Sequence, residues 1–289
     1  MFSGTYTAIV TPFNSDGSVD GGRLRALIEK QVAAGIAGIV PVGTTGESPT
    51  LSTEEHIAVI KTSVEAARGR MQVIAGTGAN CTKEAIELTQ AALDCGADAT
   101  LQVTPYYKKP SAEGLFRHFS ALADLGLPVV LYNVPGRTSR DIPIPVVKRL
   151  AAHPSIVAIK EAAGDVGRVS QIRAVCDLEV LSGDDALTLP MMAVGARGVI
   201  SVVSNVVPAQ IVEMVNLALV GNFSEALALH EKLMSLFTDL FIEVNPVPVK
   251  AALAMMGQIE EIYRLPLCEL APENRLKLLA TMTSLGLVK

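Results

Sequence analysis

Lys160 is the residue of this sequence whose position most strongly suggests chemistry. It follows the apolar run at positions 156–159, which predicts a buried strand and therefore an amino group among apolar neighbours. Burial disfavours a charged amine, and a neutral amine can condense with a ketone to form an imine that withdraws electrons from the adjacent carbon. The position therefore indicates Schiff-base chemistry, although an ion pair of Lys160 with Glu161 or Asp184 would explain it equally well.

Three tyrosines at or just after the ends of other apolar runs are further candidate site residues. Tyr132 ends the run that precedes Lys160 along the chain, so its phenol could reach an adduct on that lysine if the two strands are neighbours. Tyr106 and Tyr107 end an earlier run. Each of the three could instead be a packing residue whose hydroxyl finds a surface hydrogen bond.

Two further features suit the binding of carboxylates. The segment Gly43-Thr44-Thr45-Gly46-Glu47 combines glycines, which let backbone N–H groups converge on an anion, with two hydroxyl side chains. Arg137 could bind a second carboxylate with its forked guanidinium group. Taken singly, such a turn is weakly specific and Arg137 could be a solvated loop charge. Their convergence with a strand-end lysine on one face of one fold would be improbable by chance.

These residues need a scaffold that brings strand ends together, and the chain predicts one. Short β-branched runs bounded by Gly or Pro alternate with longer segments whose apolar residues recur three and four apart. The predicted strands cover residues 5–11, 38–42, 72–76, 99–104, 128–134, 156–161, 179–182 and 198–203. Eight β/α units without a G-x-G-x-x-G fingerprint favour a closed (β/α)₈ TIM barrel over an open doubly wound sheet. In such a barrel the catalytic face is formed by the carboxyl ends of the strands.

We predict that the barrel occupies residues 1–221 and that a helical region occupies residues 222–289. Ser52 and Glu55 form a capping-box pattern that predicts the start of one barrel helix. After residue 222 no strand pattern remains. Helices are predicted there at 223–241, 246–256 and 272–284, packed on the side of the barrel.

The composition limits the classes of function. Apolar residues make up 49% of the 289 residues and charged residues 18%, and the net charge is −5 with a pI near 5.5. An acidic chain without a basic cluster is not expected to bind nucleic acid or anionic lipid, and no segment is apolar enough to predict a membrane span. The N-terminus lacks the pattern of a secretory signal, so we expect a cytoplasmic protein.

Cysteine and histidine spacing predicts neither a disulfide nor a metal site. The four cysteines are scattered without a C-x-x-C pair, and the four histidines form no H-E-x-x-H motif. We therefore expect reduced thiols, no bound metal and no cofactor. The expected partners are small molecules and further copies of the chain.

Over nearly its whole length the sequence resembles the pyruvate-dependent class I aldolases of the dihydrodipicolinate synthase and N-acetylneuraminate lyase superfamily. The motifs that carry the resemblance are Thr11-Pro12-Phe13, Gly43-Thr44-Thr45-Gly46-Glu47, Pro105-Tyr106-Tyr107, Tyr132-Asn133-Val134-Pro135-Gly136-Arg137-Thr138, Ile159-Lys160-Glu161, Ser182-Gly183-Asp184-Asp185 and Asn245-Pro246-Val247-Pro248-Val249-Lys250. Because several separate motifs occur in the same order, a false match is improbable. The resemblance implies a TIM barrel, a Schiff base with pyruvate, and a homotetramer built as a dimer of dimers.

The resemblance assigns catalytic roles to four matching residues. Lys160 would form the Schiff base, and Tyr132 would act as the general acid and base. Thr44 and Tyr107 would complete a proton relay to solvent, with Tyr107 of one subunit serving the site of its neighbour.

Four other positions match residues that bind substrates in these relatives. Thr45 would hold the pyruvate carboxylate, and Gly183 and Ile200 would line the same pocket. Arg137 stands where the synthases bind the carboxylate of L-aspartate 4-semialdehyde. This match favours condensation of pyruvate with that aldehyde to 4-hydroxy-tetrahydrodipicolinate, a step of lysine biosynthesis.

Two alternative functions remain open at this point. A sugar-acid aldolase, acting on N-acetylneuraminate or a 2-keto-3-deoxy sugar acid, shares the fold and the Schiff base, but such relatives generally lack the arginine at position 137. A ligand-sensing regulator on a catalytically retired fold would be indicated by loss of the lysine or of the catalytic tyrosine. Both residues are present in this sequence.

Lysine-sensitive relatives bind free lysine at a subunit interface, away from the Schiff-base residue. The positions that match this site are Ser48, His56, Asn80, Glu84 and Tyr106. Glu84 suits the ammonium of the ligand and Tyr106 its aliphatic stem. His56 and Glu84 fall on helices whose faces are predicted to be solvated, and Pro49 and Thr53 differ from residues common at this site. Feedback inhibition by lysine is the expectation.

Overall fold

Eight parallel strands form the centre of the molecule and close into a barrel in their order along the chain. The computed structural model describes residues 2–288. The strands are β1 (Gly4–Ala8), β2 (Gly38–Val40), β3 (Gln72–Gly76), β4 (Ala99–Val103), β5 (Val129–Asn133), β6 (Ile156–Glu161), β7 (Glu179–Ser182) and β8 (Gly198–Ser201). The predicted (β/α)₈ TIM barrel is therefore confirmed, and every predicted strand is present.

Helices cover the outside of the barrel and continue beyond it. Within residues 2–288 they are α1 (Gly21–Ala33), α2 (Thr53–Ala67), α3 (Thr82–Asp94), α4 (Ala112–Ala123), α5 (Pro135–Thr138), α6 (Ile144–Leu150), α7 (Gly167–Arg173), α8 (Thr188–Ala193), α9 (Pro208–Leu219), α10 (Phe223–Asp239), α11 (Val247–Met255) and α12 (Pro272–Ser284). The helices predicted after residue 222 correspond to α10, α11 and α12.

Both faces of the strands are buried, which explains why their sequences read as nearly continuous apolar runs. One set of alternating side chains fills the inside of the barrel and includes Tyr6, Ile74, Leu101 and Leu181. The other set packs against the surrounding helices in a larger apolar cluster. A polar residue on a strand can therefore reach solvent or substrate only near the strand end.

Three strands, β1, β2 and β8, end two or three residues earlier than predicted because the backbone turns away from the sheet. β2 stops at Val40, and Val42 has a φ of 49°, in a left-handed region that does not continue a strand. After β8, Val203–Asn205 form a 3₁₀ turn. The side chain of Asn205 donates a hydrogen bond to the carbonyl of Ala8 at 2.8 Å, where β1 would otherwise continue.

The seam between β1 and β8 closes the barrel and requires glycine. Gly198 lies opposite Gly4 and has a φ of +151°. A Cβ at Gly198 would lie 1.9 Å from the carbonyl oxygen of Gly4. No side chain can be placed there without moving the backbone, so the two glycines allow the last strand to approach the first.

The start of α2 follows the predicted capping box. Ser52 Oγ accepts a hydrogen bond from the Glu55 backbone N–H at 3.2 Å, and the Glu55 carboxylate accepts one from the Ser52 N–H at 3.0 Å. These bonds satisfy N–H groups that the helix itself cannot pair. They also fix the end of the loop that carries Thr44 and Thr45 from β2 to α2.

The helical region after residue 221 packs closely on the barrel. α10 contacts α8 and α9, and α12 contacts α10 and α11. The proposed division between the two regions falls in the short link between α9 and α10 and remains a prediction. In addition to packing on the barrel, α10 and the segment after it reach the catalytic face. None of the helices in residues 2–288 has the length and apolar character needed to cross a bilayer.

Candidate active site

A cavity of about 530 Å³ lies at the carboxyl ends of the strands. Residues predicted to bind or transform substrate meet on its wall, and they are Thr44, Thr45, Tyr132, Arg137, Lys160 and Gly183. They come from the ends of β5 and β6 and from the loops that follow β2, β5 and β7. Closure of the barrel is what brings these distant parts of the chain together.

Lys160 and Tyr132 lie side by side because β5 and β6 pair in register at these two residues. Both side chains point into the barrel, and they are 6% and 7% exposed, respectively. The Nζ atom of Lys160 lies 4.4 Å from the centroid of the Tyr132 ring. The amine and the phenol-bearing ring thus share one wall of the cavity, as a Schiff-base site with a nearby acid and base requires.

Lys160 has no carboxylate within 4.0 Å of its amine among residues 2–288. Glu161 faces away from the cavity and pairs with Arg168, with Nε 3.0 Å from Oε2. The Asp184 carboxylate accepts a hydrogen bond from the backbone N–H of Ala186 at 3.1 Å. The interpretation of Lys160 as a structural ion-pair partner is therefore wrong, and its amine faces the cavity without a competing anion.

Gly183 contributes space rather than a functional group. A Cβ at this position would lie 2.9 Å from Cε of Lys160 and 2.7 Å from the Cβ of Ala162. Any larger residue would push the lysine side chain out of its present position. The absence of a side chain after β7 is thus what leaves room for the extended Lys160.

The turn that carries Thr44 and Thr45 is held by several hydrogen bonds. The Glu47 N–H donates to the Thr44 carbonyl at 3.1 Å. Thr45 is 3% exposed, and its Oγ1 accepts a hydrogen bond from Asn245 Nδ2 at 3.0 Å. Because a hydroxyl that accepts one bond keeps its own proton to donate, Thr45 remains able to bind a carboxylate oxygen.

A buried ion pair connects this turn to the helical region. Lys250 Nζ lies 2.6 Å from Glu47 Oε1, and neither side chain is exposed. The Lys250 amine also lies 4.2 Å from the centroid of the Phe13 ring. Burial raises the pKa of the Glu47 carboxyl and lowers the pKa of the Lys250 ammonium, and the attraction between the two groups opposes both shifts. Each of the two buried charges is therefore stabilised mainly by the other.

Arg137 lies in the short helix α5 that directly follows β5. Within residues 2–288 its side chain makes one hydrogen bond, from a terminal nitrogen to the Asn245 carbonyl at 3.4 Å. No carboxylate within residues 2–288 forms an ion pair with it. Most of its donors are thus available to an anionic ligand in the cavity.

Two predicted site residues do not lie on the cavity wall. Tyr107 is 84% exposed on the loop after β4, with a φ of 66°. Ile200 is fully buried in the apolar interior of the barrel together with Tyr132, below the cavity. Ile200 therefore does not line the cavity, contrary to the expectation. β8 continues to Ser201, and the Ile200 side chain packs among the apolar residues inside the barrel.

A smaller cavity of about 190 Å³ adjoins the first and shares Gly43, Thr44, Tyr132 and Arg137 with it. Ser48, Pro49 and Tyr106, all associated above with lysine binding, line this second cavity. Burial raises the pKa of the Tyr106 hydroxyl, and the negative charge of Glu84 raises it further. Tyr106 and Glu84 are therefore close enough to interact.

The other residues matched to lysine binding differ in their surroundings. Glu84 is exposed in the first turn of α3, and Asn80 is half-buried just before that helix. His56 is only 4% exposed, and its Nε2 lies 2.9 Å from the carbonyl oxygen of Gly76. The prediction of a solvated His56 is wrong, because this face of α2 packs against β3. Burial lowers the pKa of its imidazole, which favours the neutral ring.

Part of the cavity wall comes from residues that strand-end reasoning did not identify. These are Asp184 after β7 and Phe237, Thr238, Phe241 and Asn245 from α10 and the segment that follows it. The helical region has no strand ends, so this pattern could not identify its residues. The available signal was the Asn245-Pro246 pair at the start of a motif rich in proline.

Within residues 2–288 no three His, Cys, Asp or Glu side chains meet as a cluster suited to a metal ion. The four cysteines are free thiols, and Cys81 and Cys268 are exposed.

Comparison with known proteins identifies relatives over the whole chain. Residues 1–285 match the model of the Dihydrodipicolinate synthetase family. A 4-hydroxy-tetrahydrodipicolinate synthase of Acidithiobacillus ferrooxidans is 54% identical over 274 residues, which are 94% of each chain.

Solved structures give the same result at the level of the backbone. Dihydrodipicolinate synthase from Acinetobacter baumannii, complexed with pyruvate, is 47% identical and covers both chains completely, with a TM-score of 0.97. The enzyme from Cyanidioschyzon merolae with lysine bound is 40% identical over 99% of both chains, with a TM-score of 0.96.

The buried ion pair generates a prediction about stability. Lys250→Met should lower the free energy of unfolding by about 3–5 kcal/mol, because it leaves the Glu47 carboxylate buried without a partner. The double variant Glu47→Gln/Lys250→Met removes both charges and should recover a substantial part of that loss. Denaturant midpoints at neutral pH measure the difference. Equal destabilisation of the single and double variants would contradict an electrostatic role for the pair.

Proposed function

This chain belongs to the Dihydrodipicolinate synthetase family, and we infer that it condenses pyruvate with L-aspartate 4-semialdehyde to 4-hydroxy-tetrahydrodipicolinate, the reaction named for its relatives. The observation that carries the inference is the amine of Lys160, which faces the cavity at the strand ends beside Tyr132 with no carboxylate within 4.0 Å among residues 2–288. Such an amine suits imine formation.

In the first step, we propose, the Lys160 amine attacks the carbonyl carbon of pyruvate. A C–N bond forms, the carbonyl oxygen leaves as water, and the resulting imine is held in its protonated form. That cation accepts electrons when a proton leaves the methyl carbon, which yields a nucleophilic enamine. Tyr132 is the group on this wall that can accept and return the proton.

In the second step the enamine carbon attacks the aldehyde carbon of the second substrate. A C–C bond forms, and the aldehyde oxygen takes up a proton to become the hydroxyl of the product. Because the product is cyclic, the amino group of the aldehyde substrate must then replace Lys160 on the former carbonyl carbon of pyruvate. This exchange releases the lysine as a free amine for the next cycle.

Two sites for carboxylates support this pair of substrates. Thr45 offers a hydroxyl proton in the turn 43–48 and suits the carboxylate of pyruvate. Arg137 offers a guanidinium group in the same cavity and suits the carboxylate of aspartate semialdehyde. A sugar-acid aldolase would not need this positive group, and nothing in the cavity favours that alternative or a retired regulator.

We further propose that Tyr107 acts in the cavity of a neighbouring subunit. The residue is 84% exposed and does not line the cavity of its own chain, which suits a residue that is donated to a neighbour. The exposed position and the family resemblance support a homotetramer made of two dimers. The free thiols of the chain support a cytoplasmic location, since exposed cysteines suit a reducing compartment.

Borohydride trapping tests the Schiff-base assignment. With pyruvate and borohydride, the protein should gain one reduced adduct per chain, and peptide mapping should locate it at Lys160. Lys160→Arg keeps the positive charge but has no amine that can form the imine, so both the adduct and turnover should be lost. Lys148→Arg, an exposed lysine on α6, is the matched control and should retain both. An adduct of undiminished yield in the Lys160 variant would place the chemistry elsewhere.

Arg137 is tested by separating the two substrates. Arg137→Ala should raise the KM for aspartate semialdehyde by about tenfold to a hundredfold, because loss of a charged hydrogen bond costs about 1.5–3 kcal/mol. Trapping of pyruvate at Lys160 should persist, and the exposed Arg149→Ala serves as control. A similar loss for both substrates would instead indicate a structural arginine.

We propose the smaller cavity as the site of inhibition by lysine. Ser48 and Tyr106 line it, Glu84 is near Tyr106, and it adjoins the catalytic cavity through Thr44. A relative from Cyanidioschyzon merolae was solved with lysine bound, which supports the assignment by analogy. His56 is held by the Gly76 carbonyl, so it would act by shaping the wall rather than by a solvated side chain.

Lysine should therefore inhibit turnover in the millimolar range, and more aspartate semialdehyde should not overcome the inhibition. Glu84→Ala should abolish this effect while leaving uninhibited turnover nearly unchanged. Glu87→Ala, an exposed residue on the same helix, provides the control. Inhibition that persists undiminished in the Glu84 variant would refute the site without affecting the aldolase assignment.

A further inference from the structure

We propose that Asn133, Glu161 and Arg168, here called the outer clamp, position Tyr132 and Lys160 from outside the barrel and keep the charge of Glu161 from stabilising the ammonium form of Lys160. The proposal deepens the function above and rests on the Schiff-base role of Lys160. It adds positioning residues to the site, since none of the three touches the cavity.

The clamp lies directly behind the reactive residues. In the pairing of β5 with β6, Tyr132 is opposite Lys160 and Asn133 is opposite Glu161. Neighbouring residues of a strand point to opposite faces. The first pair therefore faces the cavity and the second pair faces the helices, so that a shift of the clamp must move the reactive pair with it.

Hydrogen bonds fill the acceptor sites of the Glu161 carboxylate. Asn133 Nδ2 donates to Oε1 at 2.9 Å and to Oε2 at 3.2 Å. The Ala163 N–H donates to Oε1 at 2.9 Å, and Arg168 Nε donates to Oε2 at 3.0 Å. Glu161 is 1% exposed and Asn133 is fully buried. A cross-strand contact of this kind, bifurcated from one amide nitrogen to both carboxylate oxygens, fixes the register at the very end of the two strands.

The clamp is anchored in turn by the loop before α6. Asn133 Oδ1 accepts a hydrogen bond from the Ile142 N–H at 2.9 Å, and the Ile142 carbonyl accepts one from an Arg168 terminal nitrogen at 3.1 Å. Asp141 accepts a bond from Asn133 Nδ2 at 3.0 Å and lies 3.9 Å from Arg168. Strand ends, loop and α7 therefore form one connected network.

The charged groups around Lys160 indicate that Arg168 offsets the negative charge of Glu161. On the cavity side Lys160 faces Tyr132, Arg137 and Asp184. On the outer side stand Glu161 with Arg168 and, half-exposed, Asp141. Without Arg168 the buried Glu161 charge would have no cation, and it would favour protonated Lys160 through the interior, where screening is weak. The amine would then become available for imine formation only at higher pH.

Burial already raises the pKa of the Glu161 carboxyl, and Arg168 and Asn133 offset part of that rise. Carboxyl groups nevertheless ionise at lower pH than amines lose their protons, so Glu161 is charged in the pH range in which an amine can form an imine. Because Glu161 is negative and Arg168 is positive, removing one or the other should shift the pH profile of imine formation in opposite directions.

The experiment is the pH dependence of imine formation, followed by borohydride trapping of pyruvate on the intact protein. Arg168→Met should move the rising limb to higher pH by about one unit, which is about a tenfold loss of rate at a fixed pH on that limb. Glu161→Gln leaves Arg168 with only the more distant, half-exposed Asp141 as a partner and should move the limb to lower pH. The double variant should return close to the wild-type profile. Arg173→Met, an exposed arginine on the same helix, should leave the profile unchanged.

Opposite shifts of the pH profile in the two single variants would support the clamp. General structural damage would not be expected to shift the two profiles in opposite directions. Shifts in the same direction, or unchanged profiles in the folded single variants, would overturn it. If Arg168→Met does not fold, Glu161→Gln alone still gives the test, since no downward shift would refute the proposal. If the wild-type protein forms no trapped adduct at all, the Schiff-base function itself is refuted. That outcome is distinct from failure of the clamp proposal, in which the adduct forms but the profiles do not shift as expected.

Discussion

The arrangement of this site depends on one constraint: a lysine amine must lie in the interior of a barrel without a carboxylate beside it. In water the amine would be stabilised in its charged ammonium form, and a neighbouring carboxylate would stabilise that form as well. The structure meets the constraint with three separate features. Glu161 points outward to Arg168, the Asp184 carboxylate is used by backbone N–H groups, and Gly183 leaves the space that the lysine stem fills.

The alternation of β-strand side chains makes this separation possible. Lys160 and Glu161 are adjacent in sequence, yet a strand places them on opposite faces of the sheet. Reactive groups thus occupy the inner face, where substrates are shielded from water, while the groups that fix their geometry occupy the outer face. A helix would have placed both residues within about 100° of each other and could not have separated them so completely.

The helical region belongs to the site as much as the barrel does. Asn245 contacts both Thr45 and Arg137, the residues suited to the two substrate carboxylates. The ion pair of Lys250 with Glu47 attaches α11 to the turn that follows β2. A buried ion pair in this position fixes the orientation of the turn relative to α11 more than it adds net stability, since burying two charges costs about as much free energy as their attraction returns. The barrel and the helical region would therefore be expected to unfold as one unit.

Local patterns in the sequence determined the elements: strand positions, the capping box at Ser52 and the strand-end location of Lys160 and Tyr132 all follow from residue types within a few positions of each other. What the tertiary structure alone decided are contacts between distant segments. The freedom of Lys160 from an ion pair, the burial of His56 against the Gly76 carbonyl, the inward packing of Ile200 and the reach of Asn245 into the cavity are examples. Periodicity reports which face of an element is apolar, but the partner that covers that face depends on how the barrel closes, and closure is a property of all eight strands together.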